Sequence, residues 1–179
     1  GESRITIENS SMVNLSKEDS KRAFKESQLI SNALKTYSQM HKSKLDFLKP
    51  VSGVISSRYG KKRFINDLPR SPHLALDIAA PTGTTIIAPA YGKVILTGNF
   101  FYSGNYLILD HGYGLLTSYS HLSVIEVSEG QIVKQGQKIG EVGATGRVTG
   151  PHLHWTVYLN GTRINPESII KENFLESIF

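Results

Sequence analysis

The uneven placement of glycine and proline constrains this chain most. All 7 Pro lie at or after Pro50, and 15 of the 16 Gly lie beyond it, Gly1 being the exception. Gly opens backbone conformations closed to other residues, and Pro fixes φ and removes a donor. A chain turned this often after residue 50, and hardly at all before it, divides into residues 1–49 and residues 50–179.

The first part reads as an arm and a helix. Residues 1–15 are polar with scattered β-branched positions (Ile5, Ile7, Val13), fitting an arm or an edge strand. Ser16-Lys17-Glu18-Asp19 has the form of an N-cap with acids in the first turn. Ala23, Ile30, Tyr37 and Ala33, Met40 recur at heptad-like spacing, with Phe24 and Leu34 beside them. This predicts a helix over 16–41, about 38 Å long at ~1.5 Å per residue. Its apolar stripe is narrow, so it lies along a surface. A packing arm, a coiled-coil face and an inhibitory segment all fit that pattern.

Past Pro50 the pattern changes. Short β-branched runs at 51–55, 85–88, 92–97, 106–110, 115–120, 124–127 and 153–159 alternate with turn signals. That spacing predicts an all-β sandwich or barrel, closed by a short helix over 166–178.

Composition removes several functions. With 179 residues, 39% hydrophobic and 20% charged, the chain has enough apolar surface for a globular domain. No run approaches the ~20 apolar residues of a membrane span. Gly1-Glu2-Ser3-Arg4 opens no signal peptide, because no apolar region follows. Zero Cys excludes disulfides, thiolate metal sites and Cys nucleophiles. The net charge of +5 divides into +7 for residues 1–72 (14 Lys+Arg, 7 Asp+Glu) and −2 for residues 73–179 (6 and 8). The excess sits mostly on the helical part as a solvated face, not around an aromatic-lined surface, so no nucleic-acid partner is expected.

The chemistry concentrates in three motifs: His73-Leu74-Ala75-Leu76-Asp77, Tyr119-Ser120-His121-Leu122, and Gly150-Pro151-His152-Leu153-His154-Trp155. A catalytic zinc takes three protein ligands from His nitrogen and carboxylate oxygen and keeps one position open, and without Cys two His and one Asp form a set that fits. In a strand, residues i and i+2 share a face about 6.6 Å apart at ~3.3 Å per residue. His152 and His154 then face one cavity, with Leu153 and Trp155 toward a core. A groove hydrogen-bonding role fits the same pair. His73 and Asp77 would stand about 13 Å apart if extended, so their segment must bend if both hold one ion. His111, between Asp110 and Gly112, reads as a structural turn residue. Arg147 suits a substrate carboxylate or plain exposure, and Tyr59, Tyr102 and Tyr119 a groove or a core.

Together these motifs resemble the LytM/lysostaphin-type zinc endopeptidases. The resemblance covers residues 50 to 167. It is carried further by Val51-Ser52-Gly53-Val54-Ile55-Ser56-Ser57-Arg58-Tyr59-Gly60, Ala79-Ala80-Pro81-Thr82-Gly83-Thr84, Gly92-Lys93-Val94, Asp110-His111-Gly112, Val133-Lys134-Gln135-Gly136-Gln137 and Gly143-Ala144-Thr145-Gly146-Arg147-Val148-Thr149-Gly150. It implies a mainly β, duplicated hybrid-motif or barrel-sandwich domain behind the helical arm. It implies Zn²⁺ on His73, Asp77 and His154, with His121 and His152 as catalytic residues that do not bind metal. The implied activity is hydrolysis of peptide bonds in peptidoglycan through a metal-bound water, with stem-peptide cross-links favoured over glycine bridges. The implied place is the periplasm or the cell exterior. Two positions depart from the family pattern: Ala75 stands where Gly is common, and Thr156 where Glu is. A non-hydrolytic relative that activates other wall hydrolases is the alternative. A lipoyl-carrier-like module is rejected, since no Lys sits in a Met-Lys-Met-like hairpin. The oligomeric state is not legible.

Overall fold

The computed structural model describes residues 2–5, 15–39, 46–65 and 68–170. In chain order the elements are β1 (Glu2–Ile5), α1 (Lys17–Ala33), β2 (Val54–Ser57), β3 (Lys61–Ile65), β4 (Leu68–His73), β5 (Leu76–Ala79), β6 (Thr85–Ile87) and β7 (Gly92–Phe100). There follow β8 (Gly104–Asp110), β9 (Leu115–Ile125), β10 (Ile132–Val133), β11 (Lys138–Val142), β12 (His152–Leu159) and β13 (Thr162–Ile164). The fold is mainly β with one N-terminal helix.

The large sheet runs in the order β10-β7-β8-β9-β12-β5-β2, with β13 beside β12 and β11 joining β9 to β6. Its pairs are antiparallel. The far half of β9 leaves the main ladder to pair with β11, which lets the sheet curl around its own core. That core holds Leu76, Ile78, Ile86, Leu107, Leu109, Tyr119, Leu122, Leu153, Trp155 and Val157. Phe47 is completely buried in it, edge-on to His111 at 4.8 Å. Alternation along β12 sends Leu153, Trp155 and Val157 inward and leaves His152, His154, Thr156 and Tyr158 on the opposite face.

A second cluster lies on that opposite face: Phe100, Tyr106, Ile108, Leu116 and Tyr158, covered by Ile30, Ala33 and Leu34 of the helical segment. Ser16 caps α1 by accepting the Asp19 amide at 3.0 Å. The expected helix over 16–41 stops early, at Ala33. The reason is tertiary: the Ser38 carbonyl accepts the Tyr113 amide at 2.7 Å, and Tyr37 meets the Tyr113 ring edge-on. Among the described residues the apolar stripe packs through Ile30, Ala33 and Leu34, and Phe24 stays 62% exposed. Met40 and His41 lie outside the described residues.

Three further differences stand out. A small sheet, β1-β3-β4, precedes the site, where lysines and prolines masked the strand pattern. Pro72 sits where β4 gains an extra residue against β3, a place where a missing amide costs no ladder bond. Of the terminal helix expected over 166–178, the described residues carry a 3-10 turn at Pro166–Ser168, after which Ile170 bridges Phe47; residues 171–178 lie outside the described residues.

The buried His111 predicts an acid sensitivity. Its Nδ1–H donates to the Tyr91 carbonyl, its Nε2 meets Thr117 Oγ1, and that hydroxyl pairs with Tyr119 Oη, each at 2.8 Å. Burial pushes His111 down from 6.5 to about 4, against the opposing pull of the Tyr91 carbonyl and Asp110. Between those values the unfolded chain binds the proton and the folded one does not, so stability falls as pH falls through this window. Denaturant unfolding should show about 2–3 kcal/mol lost to this group from pH 7 to pH 4.5, at ~1.4 kcal/mol per unit. His111→Gln should flatten the pH profile by that amount; an unchanged slope would refute the assignment. Phe47→Ala should cost about 3–5 kcal/mol in the same assay.

Candidate metal centre

The site forms where β4, β5, β9 and β12 converge. A bend at Leu74-Ala75 joins β4 to β5 and brings His73 and Asp77 together, resolving the problem of their extended separation. Ala75 is buried and its φ is not positive. The usual Gly there is therefore not needed for backbone conformation, and Ala is accommodated. Pairing of β12 with β5 sets His154 directly opposite Asp77. His73 Nε2 lies 3.0 Å from Asp77 Oδ1, His154 Nδ1 lies 2.7 Å from the same oxygen, and the two nitrogens are 3.4 Å apart.

The hydrogen positions follow from the neighbours. His73 Nδ1 is 3.1 Å from the Arg58 carbonyl and 3.2 Å from Ser57 Oγ. A carbonyl only accepts, so Nδ1 carries the hydrogen and the neutral ring presents a bare Nε2. That lone pair faces a carboxylate oxygen in a buried place, an arrangement that a bound cation would satisfy. Four-coordinate zinc holds its ligands about 2.0–2.2 Å away, hence roughly 3.3 Å from one another. Two of the observed separations, 3.0 and 3.4 Å, lie near that value and the third, 2.7 Å, is shorter; among the described residues His73, Asp77 and His154 group as potential metal ligands. Burial alone would raise the Asp77 carboxyl, but the adjoining His154 and His73 imidazoles outweigh it and hold the group ionised far below the usual carboxylate range. The donor set therefore fits a divalent metal.

Two more imidazoles stand beside this cluster. The His121 ring is 5.0 Å from that of His152 and 6.0 Å from that of His154. His152 Nε2 approaches Asp77 Oδ1 to 4.0 Å. His121 Nδ1–H donates to the Thr145 carbonyl and His152 Nδ1–H to the Gly150 carbonyl, both at 2.9 Å. Each ring therefore keeps Nε2 as its free lone pair when neutral. Burial and the nearby His154 push His121 down to about 3.

His121 reaches this face through a β-bulge. Asn105 pairs with Leu122 and Leu107 with Tyr119, so β9 carries one residue more than β8 here. Strict alternation would send His121 inward after Tyr119. Instead it takes φ +68 and turns toward the site, with its amide donating to the Ser103 carbonyl at 2.7 Å. No glycine marks this left-handed position in the sequence.

The other candidates separate. His111 and Tyr119 belong to the core. Tyr59 donates to the Arg163 carbonyl. Arg147 stacks over the Tyr102 ring at 4.3 Å, beside the loop leading to His152. Thr156 is buried on the histidine face of β12. Composition did not single out Ser57, Arg58, Ser103 or Thr145, although all four fall within or beside turn segments next to the motifs.

Residues 71–166 match peptidase family M23. A structure from Pseudomonas aeruginosa carrying the peptidase M23 name shares 44% identity at TM-score 0.76, covering 86% of this chain and 63% of that one. A zinc-containing peptidase from Vibrio cholerae shares 36% at TM-score 0.64, covering 74% and 40%. The peptidoglycan DD-endopeptidase ShyA of Vibrio cholerae is 44% identical over 112 residues, 62% of this chain and 26% of that protein. Fold and site together define a metallopeptidase domain. The chain belongs to peptidase family M23, matching it over more than half its length. It spans about a quarter of the length of curated relatives such as ShyA and ShyB of Vibrio cholerae.

Equilibrium dialysis of the metal-stripped protein should recover one zinc per chain. Asp77→Ala should weaken that binding by more than about a hundredfold, beyond the loss typical of outer partners. Undiminished zinc uptake by Asp77→Ala would remove the cluster as the metal centre.

Proposed function

We propose that this chain is a zinc-dependent peptidoglycan endopeptidase acting on cross-links between stem peptides. The observation that carries the reading is the convergence of His73 Nε2, Asp77 Oδ1 and His154 Nδ1 beside the His121–His152 pair. The substrate class is supported by the relatives named peptidoglycan DD-endopeptidase, 44% and 45% identical over the matched segments. Such a substrate lies outside the cytoplasm, so the domain works in the periplasm or beyond. Among the described residues no helix is long and apolar enough to cross a membrane.

In this reading His73, Asp77 and His154 hold the zinc. The bound ion supplies Lewis-acid polarisation and activates water at neutral pH. The protein moves the protons. His121 and His152 have their Nδ1–H groups committed to backbone carbonyls, so each ring is fixed in orientation and tautomer. One Nε2 accepts the proton of the attacking water and returns it to the leaving amine. The other enters as the imidazolium, with a solvent-derived proton on Nε2 in addition to its Nδ1–H, and donates that Nε2–H to the oxygen of the tetrahedral carbon. Arg58 and Ser57 keep His73 Nε2 bare for the metal.

Mass spectrometry of products from defined cross-linked dimers, with glycine-bridged dimers alongside, tests the reading. The stem cross-link should be cut and the glycine bridge left intact. His121→Ala and His152→Ala should each lower the rate by at least about a hundredfold while binding wild-type amounts of zinc. Cleavage of sacculi by His121→Ala at the wild-type rate would refute its role.

A further inference from the structure

Helix α1 touches the catalytic machinery through one turn, and the contact is specific. We propose that Glu26 of α1 is a positioning residue for His121, acting through the β7–β8 turn that fixes both the backbone and the ring of that histidine. The inference rests on the peptidase reading above.

The chain of contacts is continuous. Glu26, in a side chain only 15% exposed, accepts the Phe101 amide through Oε2 at 2.6 Å. Its other oxygen accepts Arg22 Nε, also at 2.6 Å. Arg22 Nη2 reaches Asn99, donating to its carbonyl and to Oδ1 at 3.2 Å. The two oxygens of one carboxylate are thus held apart, one by the helix and one by the turn. A charged acceptor on a backbone amide makes a stronger bond than a neutral one.

Past Phe101 the turn carries two carbonyls used by the site. Ser103 accepts the His121 amide at 2.7 Å, and Tyr102 accepts the Arg147 amide at 3.0 Å. The turn is also wedged against the 145–147 loop. A Cβ at Gly104 would lie 2.4 Å from the Thr145 carbonyl carbon, and one at Gly146 would lie 2.3 Å from the Gly104 nitrogen. The Asn105 amide donates to Thr145 Oγ1 at 2.9 Å. Thr145 in turn accepts the His121 Nδ1–H. Turn and loop therefore move as one body, and that body holds both anchors of His121.

His121 needs such anchoring. A left-handed backbone at a residue other than Gly persists only where surrounding contacts over-determine it. Displacement of the turn by a fraction of an ångström shifts Ser103 and Thr145 together and relaxes the bulge. In this proposal the helix supports the site from the same sheet face.

The test compares Glu26→Ala with Glu26→Gln in the full chain. Gln keeps an acceptor oxygen for Phe101. The first readout is the His121 Nδ1–H proton signal in the metal-free protein, which the Thr145 carbonyl protects from exchange. It should be lost or shifted in Glu26→Ala and retained in Glu26→Gln. In the zinc-loaded protein kcat on a cross-linked dimer should fall about tenfold in Glu26→Ala, with KM and zinc content unchanged, and recover in Glu26→Gln. A lower Tm in Glu26→Ala with signal and kcat as in wild type would overturn the proposal, as would equal damage in both variants. Should Glu26→Ala fail to fold, the exposed Arg22→Ala serves: the same signal should shift less, and no shift overturns the proposal. Because the proton signal needs no substrate, wild-type protein that cuts no cross-link sinks the peptidase reading alone.

Discussion

A buried carboxylate shared by two imidazole nitrogens is the interaction on which the rest of this structure depends. Asp77 Oδ1 meets His154 Nδ1 at 2.7 Å and His73 Nε2 at 3.0 Å. With the His73 hydrogen committed to the Arg58 carbonyl, the three inward atoms carry more lone pairs than hydrogens. A divalent cation fits that arrangement. The bend between β4 and β5, the register of β12 on β5, and the support from Ser57 and Arg58 all serve this convergence.

A second constraint acts on β9. The ladder would bury His121, and a one-residue bulge with a left-handed backbone returns it to the open face beside His152. The cost of that conformation is met by contacts from Ser103 and Thr145. The metal cluster and the imidazole pair are therefore built differently. The first follows from strand register, the second from a local exception to it. The face that holds them continues into the cluster under α1, so arm and site share one surface of one sheet.

Much of this was legible in the residues. Alternation in His152-Leu153-His154-Trp155 placed the imidazoles on one face and the apolar pair in the core. Turn spacing after Pro50 pointed to the all-β class, and the family resemblance pointed to His73, Asp77, His121, His152 and His154, which the fold brings together. What the sequence hid was non-local. The end of α1 is set by a carbonyl captured near Tyr113, not by a breaker residue. The strands around Pro69 and Pro72 were hidden because proline signals an interruption unless it falls at a bulge, as Pro72 does, or on an edge strand, as Pro69 does. The left-handed His121 carries no glycine signal at all. Ala75, an open question in the sequence, is settled by an ordinary φ in a buried bend.

Anomalous diffraction at the zinc absorption edge, from crystals of the zinc-loaded protein, tests the central claim most directly. The account requires one strong peak about 2.0–2.2 Å from each of His73 Nε2, Asp77 Oδ1 and His154 Nδ1, with His121 and His152 beside it and not bonded to it. A peak held by other side chains, or one that draws His121 or His152 into the ligand set in place of these, would contradict it.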